Sequence, residues 1–294
     1  MATRKHFSHI GAVPLFVAAM LTLCAVPHSA WGEAAGVALS KPGRPACDRA
    51  AFRVLVDVGH TAEVSGARSA RAVPEYEYNL RLAKQIEQAL IDSGFVRTTL
   101  LITAEPPRRG LFQRAERANS LPADLFLSIH HDSVPNEFLE TWEFEGEEYR
   151  FSDRFKGHSI FVSHDNAAPR GSLQFGRLLG HALKARGLQY TPHYTEPIMG
   201  NRRRELVDAA AGVYRYDQLV VLKYTRMPAV LLEAGSIINR DEELKLRVPK
   251  RRTLISESVV DAVARFCALR ARGVWAYSRG RAVGYPATVP GSNR

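Results

Sequence analysis

The chain reads as a series of short apolar runs set between segments with helical spacing. The first run, Phe52–Val58, is mostly apolar and β-branched and predicts a buried parallel strand. It stops at Gly59-His60, which leaves an imidazole at the carboxyl end of a core strand, the edge where open α/β sheets bind ligands. Leu80, Ala83, Ile86, Leu90 and Ile91 then recur at helical spacing behind Glu75, and Ser93-Gly94 is a C-terminal stop. Val96–Thr103 is a second strand, Leu111–Asn119 a short helix, and Ala123–Ile129 a third strand running into His130-His131-Asp132. His158–Ser163, Leu219–Lys223 and Ala229–Glu233 read as three more strands. Leu173–Arg186 and Thr253–Arg270 read as amphipathic helices, and 190–217 as irregular chain. This alternation predicts one α/β domain with a mostly parallel, twisted sheet flanked by helices on both faces.

Residues 134–157 interrupt the rhythm. Seven acidic residues, Glu137 to Asp153, alternate there with Phe138, Trp142, Phe144, Tyr149 and Phe151. A β-ribbon or flap over the site, or a merely solvated excursion, both fit that pattern.

Composition narrows the class. Hydrophobic and charged fractions of 46% and 24% are those of a globular protein. A formal charge of +10 suits an anionic partner such as nucleic acid, lipid or bacterial wall. No arginine-rich helix, aromatic-basic interleaving or zinc-finger spacing favours nucleic acid. Arg4 and Lys5, the apolar run Gly11–Val26 and Ala30-Trp31-Gly32 compose a secretory signal peptide over 1–32. The run is short for a membrane span, and Leu23 is bulky for a lipoprotein box ahead of Cys24. Residues 33–50 read as a linker, 51–272 as the catalytic domain and 273–294 as a loose tail. The exported chain keeps Cys47 and Cys267, either a disulfide or two separate buried thiols.

His60, Glu75 and His130 are residue types that zinc accepts, and two His plus one Glu with an open position is a catalytic set. Spacing alone favours a structural polar cluster over a metal site. The segments VLVDVGH, PEYEYNLRLA, LFQRAERAN, ADLFLSIHHD and VVLKYTRMPAVLLEAGSIINRDEE, however, resemble the zinc-dependent N-acetylmuramoyl-L-alanine amidases of the Amidase_3 type. The similarity runs in blocks from about Val54 to Phe266. The resemblance implies a six-stranded sheet, zinc on His60, Glu75 and His130, and Glu233 as the catalytic carboxylate. It also implies cleavage of the amide between the muramoyl lactyl group and L-alanine of peptidoglycan stem peptides, in wall remodelling or daughter-cell separation.

Some positions depart from the family pattern. Thr61, Ala62 and Val64 stand where glycines and an aspartate are common, and His131-Asp132 replace a small and an amide residue. Alternation turns His131 to the opposite face from His130. Asp57 is either an orienting partner of a ligand or a structural aspartate. Arg114 and Asn119 are expected to brace the His130 strand, and His158, His164, His181 and His193 to lie on the surface. No GxSxG supports a serine nucleophile, and the cysteines fall away from the site edge. Some relatives are held inactive by an insertion that offers a carboxylate to zinc, and the acidic segment 134–157 is a candidate gate of that kind. The competing functions are a zinc peptidase acting within stem peptides and a non-catalytic wall-binding regulator. With no wall-targeting repeat, attachment falls to the basic surface or to a partner protein such as an activator.

Overall fold

A computed structural model describes residues 47–104 and 110–273. The signal peptide, most of the linker and the tail beyond Gly273 lie outside the described residues. In chain order the first elements are β1 (Arg53–Val58), α1 (Glu75–Asp92), β2 (Arg97–Leu101), α2 (Gly110–Ser120) and β3 (Leu125–Asp132). A ribbon of β4 (Glu140–Phe144) and β5 (Glu147–Phe151) follows, then β6 (Ser159–Val162) and α3 (Pro169–Ala185). The chain closes with β7 (Glu205–Asp208), β8 (Val213–Arg215), α4 (Val220–Tyr224), β9 (Ala229–Ser236), α5 (Arg240–Arg247) and α6 (Pro249–Ala271).

The central sheet runs β2-β1-β3-β9-β6-β8-β7. Strands β1, β2, β3 and β9 are parallel to one another; β6 is antiparallel to β9 and β7 to β8. Side chains alternate across it. Val54, Val56, Leu127, Ile129, Val230 and Leu232 pack with the apolar stripes of α1, α3 and α6. Leu55, Phe126 and Leu231 face the other way, with Ala118 of α2 and Val221 and Leu222 of α4. Helices therefore cover both faces, as the alternation of elements predicts.

The sheet has seven strands, not the six that the resemblance implies. Two changes produce this. Leu219–Lys223 is not a strand; it is taken up by the short helix α4, closed where Thr225 Oγ1 donates to the Val221 carbonyl. An apolar run of five has no period that separates the two conformations. Conversely, the stretch expected to be irregular supplies β7 and β8, which turn through Gly212 at φ +66°. Tyr214, fully buried, donates its hydroxyl to the Thr191 carbonyl and holds this edge down.

Cys47 and Cys267 form a disulfide with Cα atoms 5.2 Å apart, so the bridged alternative is the one realised. It ties the residues just ahead of β1 to α6. Residues 140–151 form a two-stranded ribbon closed by Glu145 and Gly146, both at positive φ as a type I′ hairpin requires. Its inner face is held by stacking: Arg71 and Arg240 each lie about 5 Å over the Trp142 ring, and Trp142 Nε1 donates to the Ala70 carbonyl. No helix among the described residues is long and apolar enough to cross a membrane.

Candidate metal centre

Three neighbouring parallel strands end at one edge of the sheet and bring the candidate residues together. His60 follows β1, His130 lies near the end of β3, and Glu233 lies across from His130 on β9. Glu75 opens α1, which returns from that edge, and its carboxylate gains from the helix N-terminus. Glu75 Oε2 lies 3.0 Å from His60 Nε2, and Oε1 lies 3.0 Å from His130 Nδ1. One ligand atom from each of the three falls within 4.8 Å of the others. Tetrahedral zinc ligands sit about 3.3 Å apart, so the set needs only small adjustment to close on a cation. The donor chemistry, two imidazoles and one carboxylate, is that of an open zinc site.

Backbone shape makes the approach. A Cβ on Gly59 would stand 2.3 Å from His130 Nε2, and one on Gly66 would stand 2.5 Å from both Glu75 Oε2 and the His60 ring. Gly66 also has φ +76°, a conformation that favours glycine. His60 itself has φ +63°, a costly left-handed geometry for a non-glycine residue. Arg114 of α2 holds it there, donating 2.6 Å bonds to the His60 and Val58 carbonyls. The same guanidinium pairs with buried Asp57 at 3.2 Å, and Asp57 accepts from Ser128 Oγ at 2.6 Å. Arg114 thus braces the His60 end of β1 directly and β3 only through Asp57 and Ser128. Asp57 takes the structural alternative, touching no triad side chain. Asn119 acts elsewhere, accepting from Arg226 N and donating to the Tyr224 carbonyl ahead of β9.

Electrostatics separates the two glutamates. Burial pushes Glu75 up, but hydrogen bonds from His130 and His60 and their charge hold it well below the usual carboxylate range. Ala67 N and Asn79 Nδ2 also donate to it. Glu233 is pushed well above that range, chiefly by burial and then by the charges of Asp132 and Glu75. Its Oε2 has no hydrogen-bond partner. Asp132 rises to about 7, mainly through burial, against the hydrogen bond it accepts from Tyr194 at 2.8 Å. Beside His60 and His130 a largely apolar cavity of about 330 Å³ opens between Val64, Leu111, Leu219 and Leu231.

The remaining expectations divide. His131 does turn to the α1 face, where it meets Asn79 Oδ1 at 2.8 Å and stays out of the triad. Burial lowers its pKa to about 3. His158 and His193 are not on the surface: both are buried, and desolvation lowers each to about 4. No glutamate of the ribbon pairs with the triad histidines among the described residues, because the ribbon is fastened to 70–71 and to the start of α5. Tyr194, which with His193 surrounds Asp132, escaped the sequence reading because it lies in the stretch read as irregular. A carboxylate in place of an amide at Asp132 was the one signal that such partners existed.

Comparison with known proteins places this geometry. A family model described as N-acetylmuramoyl-L-alanine amidase, Amidase_3, matches residues 54–265. The amidase LytC of Bacillus subtilis is 25% identical over 72% of this chain and 35% of its own length. The probable cell wall amidase LytH of Staphylococcus aureus is 24% identical over 71% of this chain and 56% of its own. The chain thus spans about a third and just over half of these two relatives. A putative amidase of Buchnera aphidicola, 22% identical, is matched over 95% of its length. Among solved structures, Ami1 of Mycobacterium smegmatis superposes with a TM-score of 0.58 at 21% identity, covering 75% of this chain and 98% of that one.

Proposed function

Because the chain belongs to the Amidase_3 family of N-acetylmuramoyl-L-alanine amidases, we propose that it is a zinc-dependent hydrolase of peptidoglycan. The bond cut is the amide joining the muramoyl lactyl group to L-alanine of the stem peptide. His60, Glu75 and His130 would hold the metal. Zinc bound there would polarise the scissile carbonyl and make water acidic enough to attack at neutral pH.

The protein's own groups do the rest. Glu75, kept ionised between two imidazoles, fixes both rings and would offset the charge of a bound metal. Arg114 and the glycines at 59 and 66 hold the ligand atoms at their spacing. Glu233 carries the proton: its unpartnered Oε2 accepts one from the attacking water and delivers it to the amide nitrogen as the carbon–nitrogen bond breaks. A carboxylate with a raised pKa suits that work, since it must both take and release the proton near neutral pH. The lactyl carboxylate and a new amino-terminal alanine are the products.

The observation that carries this reading is the convergence of three metal-accepting side chains with a free, buried carboxyl across the neighbouring strand. Purified protein on isolated sacculi, with and without chelator, tests it. Glu233→Gln should keep one zinc per chain and lose at least ~100-fold in turnover. Release of peptides whose new amino terminus is not alanine would point instead to a peptidase acting within the stem. A metal-free protein that merely binds sacculi would point to a wall-binding regulator. Residues 51–272 are the proposed catalytic unit and 1–32 an export signal. The Cys47–Cys267 bridge supports an oxidising compartment such as the periplasm or cell wall.

A further inference from the structure

A second cavity, of about 590 Å³, opens at the same edge of the sheet. Its wall includes Lys156, Gly157, Tyr190, His193, Lys245 and Arg251. Its place follows from topology. Strand β6 is antiparallel to β9 and sets Ser159 across from Glu233, so Gly157, just ahead of β6, lies beyond Glu233 on the site edge. His193 forms the wall nearest the metal centre, with Nε2 3.9 Å from Asp132 Oδ2.

The charges lining this cavity are unevenly committed. Glu242 is spent: it accepts from Gly157 N, Ser236 N and Arg251 Nη2. Glu196 pairs with Arg154, and Asp153 with Arg240. That leaves Asp241 as the one lining acid with no ion-pair partner among the described residues, at the exposed start of α5. Against it stand Lys156 and Lys245, neither with an acidic partner among the described residues, while Arg251 is already paired with Glu242.

We infer that this cavity binds the carboxylates of the stem peptide, two to three residues beyond the bond that is cut. The inference rests on the amidase reading and adds a specificity site to it. Spacing supports the assignment. Two strand separations, from β3 across β9 to β6, amount to about 10 Å. An extended peptide covers about 3.4 Å per residue, so the second and third residues of the stem reach the cavity while the first amide lies at the triad. Those residues of a wall peptide carry free carboxylates in some walls and amides in others. A cavity of this size holds a peptide fragment of that length, and its cations would discriminate between the two forms.

The test uses two synthetic muramoyl tripeptides, one with free carboxylates and one with those groups amidated. Wild-type protein should show a KM on the order of tenfold lower for the free acid, from the two exposed cations Lys156 and Lys245. Lys156→Ala/Lys245→Ala should erase most of that preference through KM, not kcat. Lys84→Ala/Arg97→Ala removes equal charge from exposed positions on α1 and β2 and should keep the preference. Equal KM values for the two substrates in wild-type protein would overturn the inference, as would a preference that survives the Lys156/Lys245 change. Should neither substrate yield a new amino-terminal alanine, it is the amidase reading that falls. The cavity is then judged by calorimetry with the free-acid tripeptide alone. Binding weakened by the Lys156/Lys245 change supports the site, and absence of binding removes it.

Discussion

Arg114 offers the sharpest test of how the candidate metal centre is built. Its side chain is 5% exposed, pairs with the fully buried Asp57, and donates to the Val58 and His60 carbonyls. Replacing it by Met fills much of the space and removes every polar contact. Breaking one partner of a buried ion pair costs about 3–5 kcal/mol. Each carbonyl left dry adds about 1 kcal/mol or more. Arg114→Met should therefore lower the unfolding free energy by about 5 kcal/mol, comparable to the whole stability of many domains. Most of that loss is the stranded charge, so adding Asp57→Asn should restore about 3 kcal/mol while the Ser128 hydroxyl keeps its acceptor. Denaturant unfolding of the four proteins measures the cycle. A loss under about 1 kcal/mol for Arg114→Met, or no recovery in the double variant, would refute this account of the network. The rescued protein still lacks the donors that pin His60 in its left-handed conformation. It should bind zinc at least ~10-fold more weakly than wild type in competition with a chromogenic chelator.

Four further outcomes follow from other features. Gly66→Ala should fold yet fail to bind zinc stoichiometrically, since its Cβ would intrude between Glu75 and His60. Gly146→Ala in the open ribbon turn should cost only about 1 kcal/mol and leave the metal untouched. His158 is buried with its pKa lowered from 6.5 to about 4, so it favours the folded state fully above pH 6.5 and loses that advantage as pH falls toward 4. The loss should reach about 3 kcal/mol, and His158→Leu should flatten the unfolding free energy by that amount between pH 7 and 4; an unchanged slope would rule it out. Replacing both Cys47 and Cys267 by Ser opens a loop spanning a sequence separation of 220. Chain entropy sets the cost at roughly 5 kcal/mol, readable as a lowered Tm; no change under oxidising conditions would contradict it.

The parts of the fold legible in the sequence are those with strong local pattern. The runs 52–58 and 229–233 are mostly apolar, and a titratable residue closes each, His60 just past the first and Glu233 at the end of the second, so both the buried strands and the site edge could be read directly. Glu75 was findable because Pro74 and the 80–91 periodicity mark a helix start at the correct edge. The stretch 190–224 was misread for two reasons. Strands of three or four residues at the sheet margin carry too few alternations to register, and the Val-Val-Leu of α4 is helical because it packs under the sheet beside α2. Arg114 was placed on the wrong strand because sequence order shows which helix carries it but not which carbonyls a long side chain can reach. His158 and His193 illustrate the same limit: residue type suggests the surface, while long-range packing beside β6 buries them.

The disulfide gives the fold an unusual tolerance of being cut. A protease that opened the ribbon turn at Gly146 would part the chain between its two functional halves, with both imidazoles and Glu75 on one fragment and Glu233 on the other. Because Cys47 belongs to the first piece and Cys267 to the second, the fragments would stay covalently joined and separate on a gel only after reduction. A chain nicked there would still keep Glu233 beside His60, Glu75 and His130, because β3 and β9 pair across the cut.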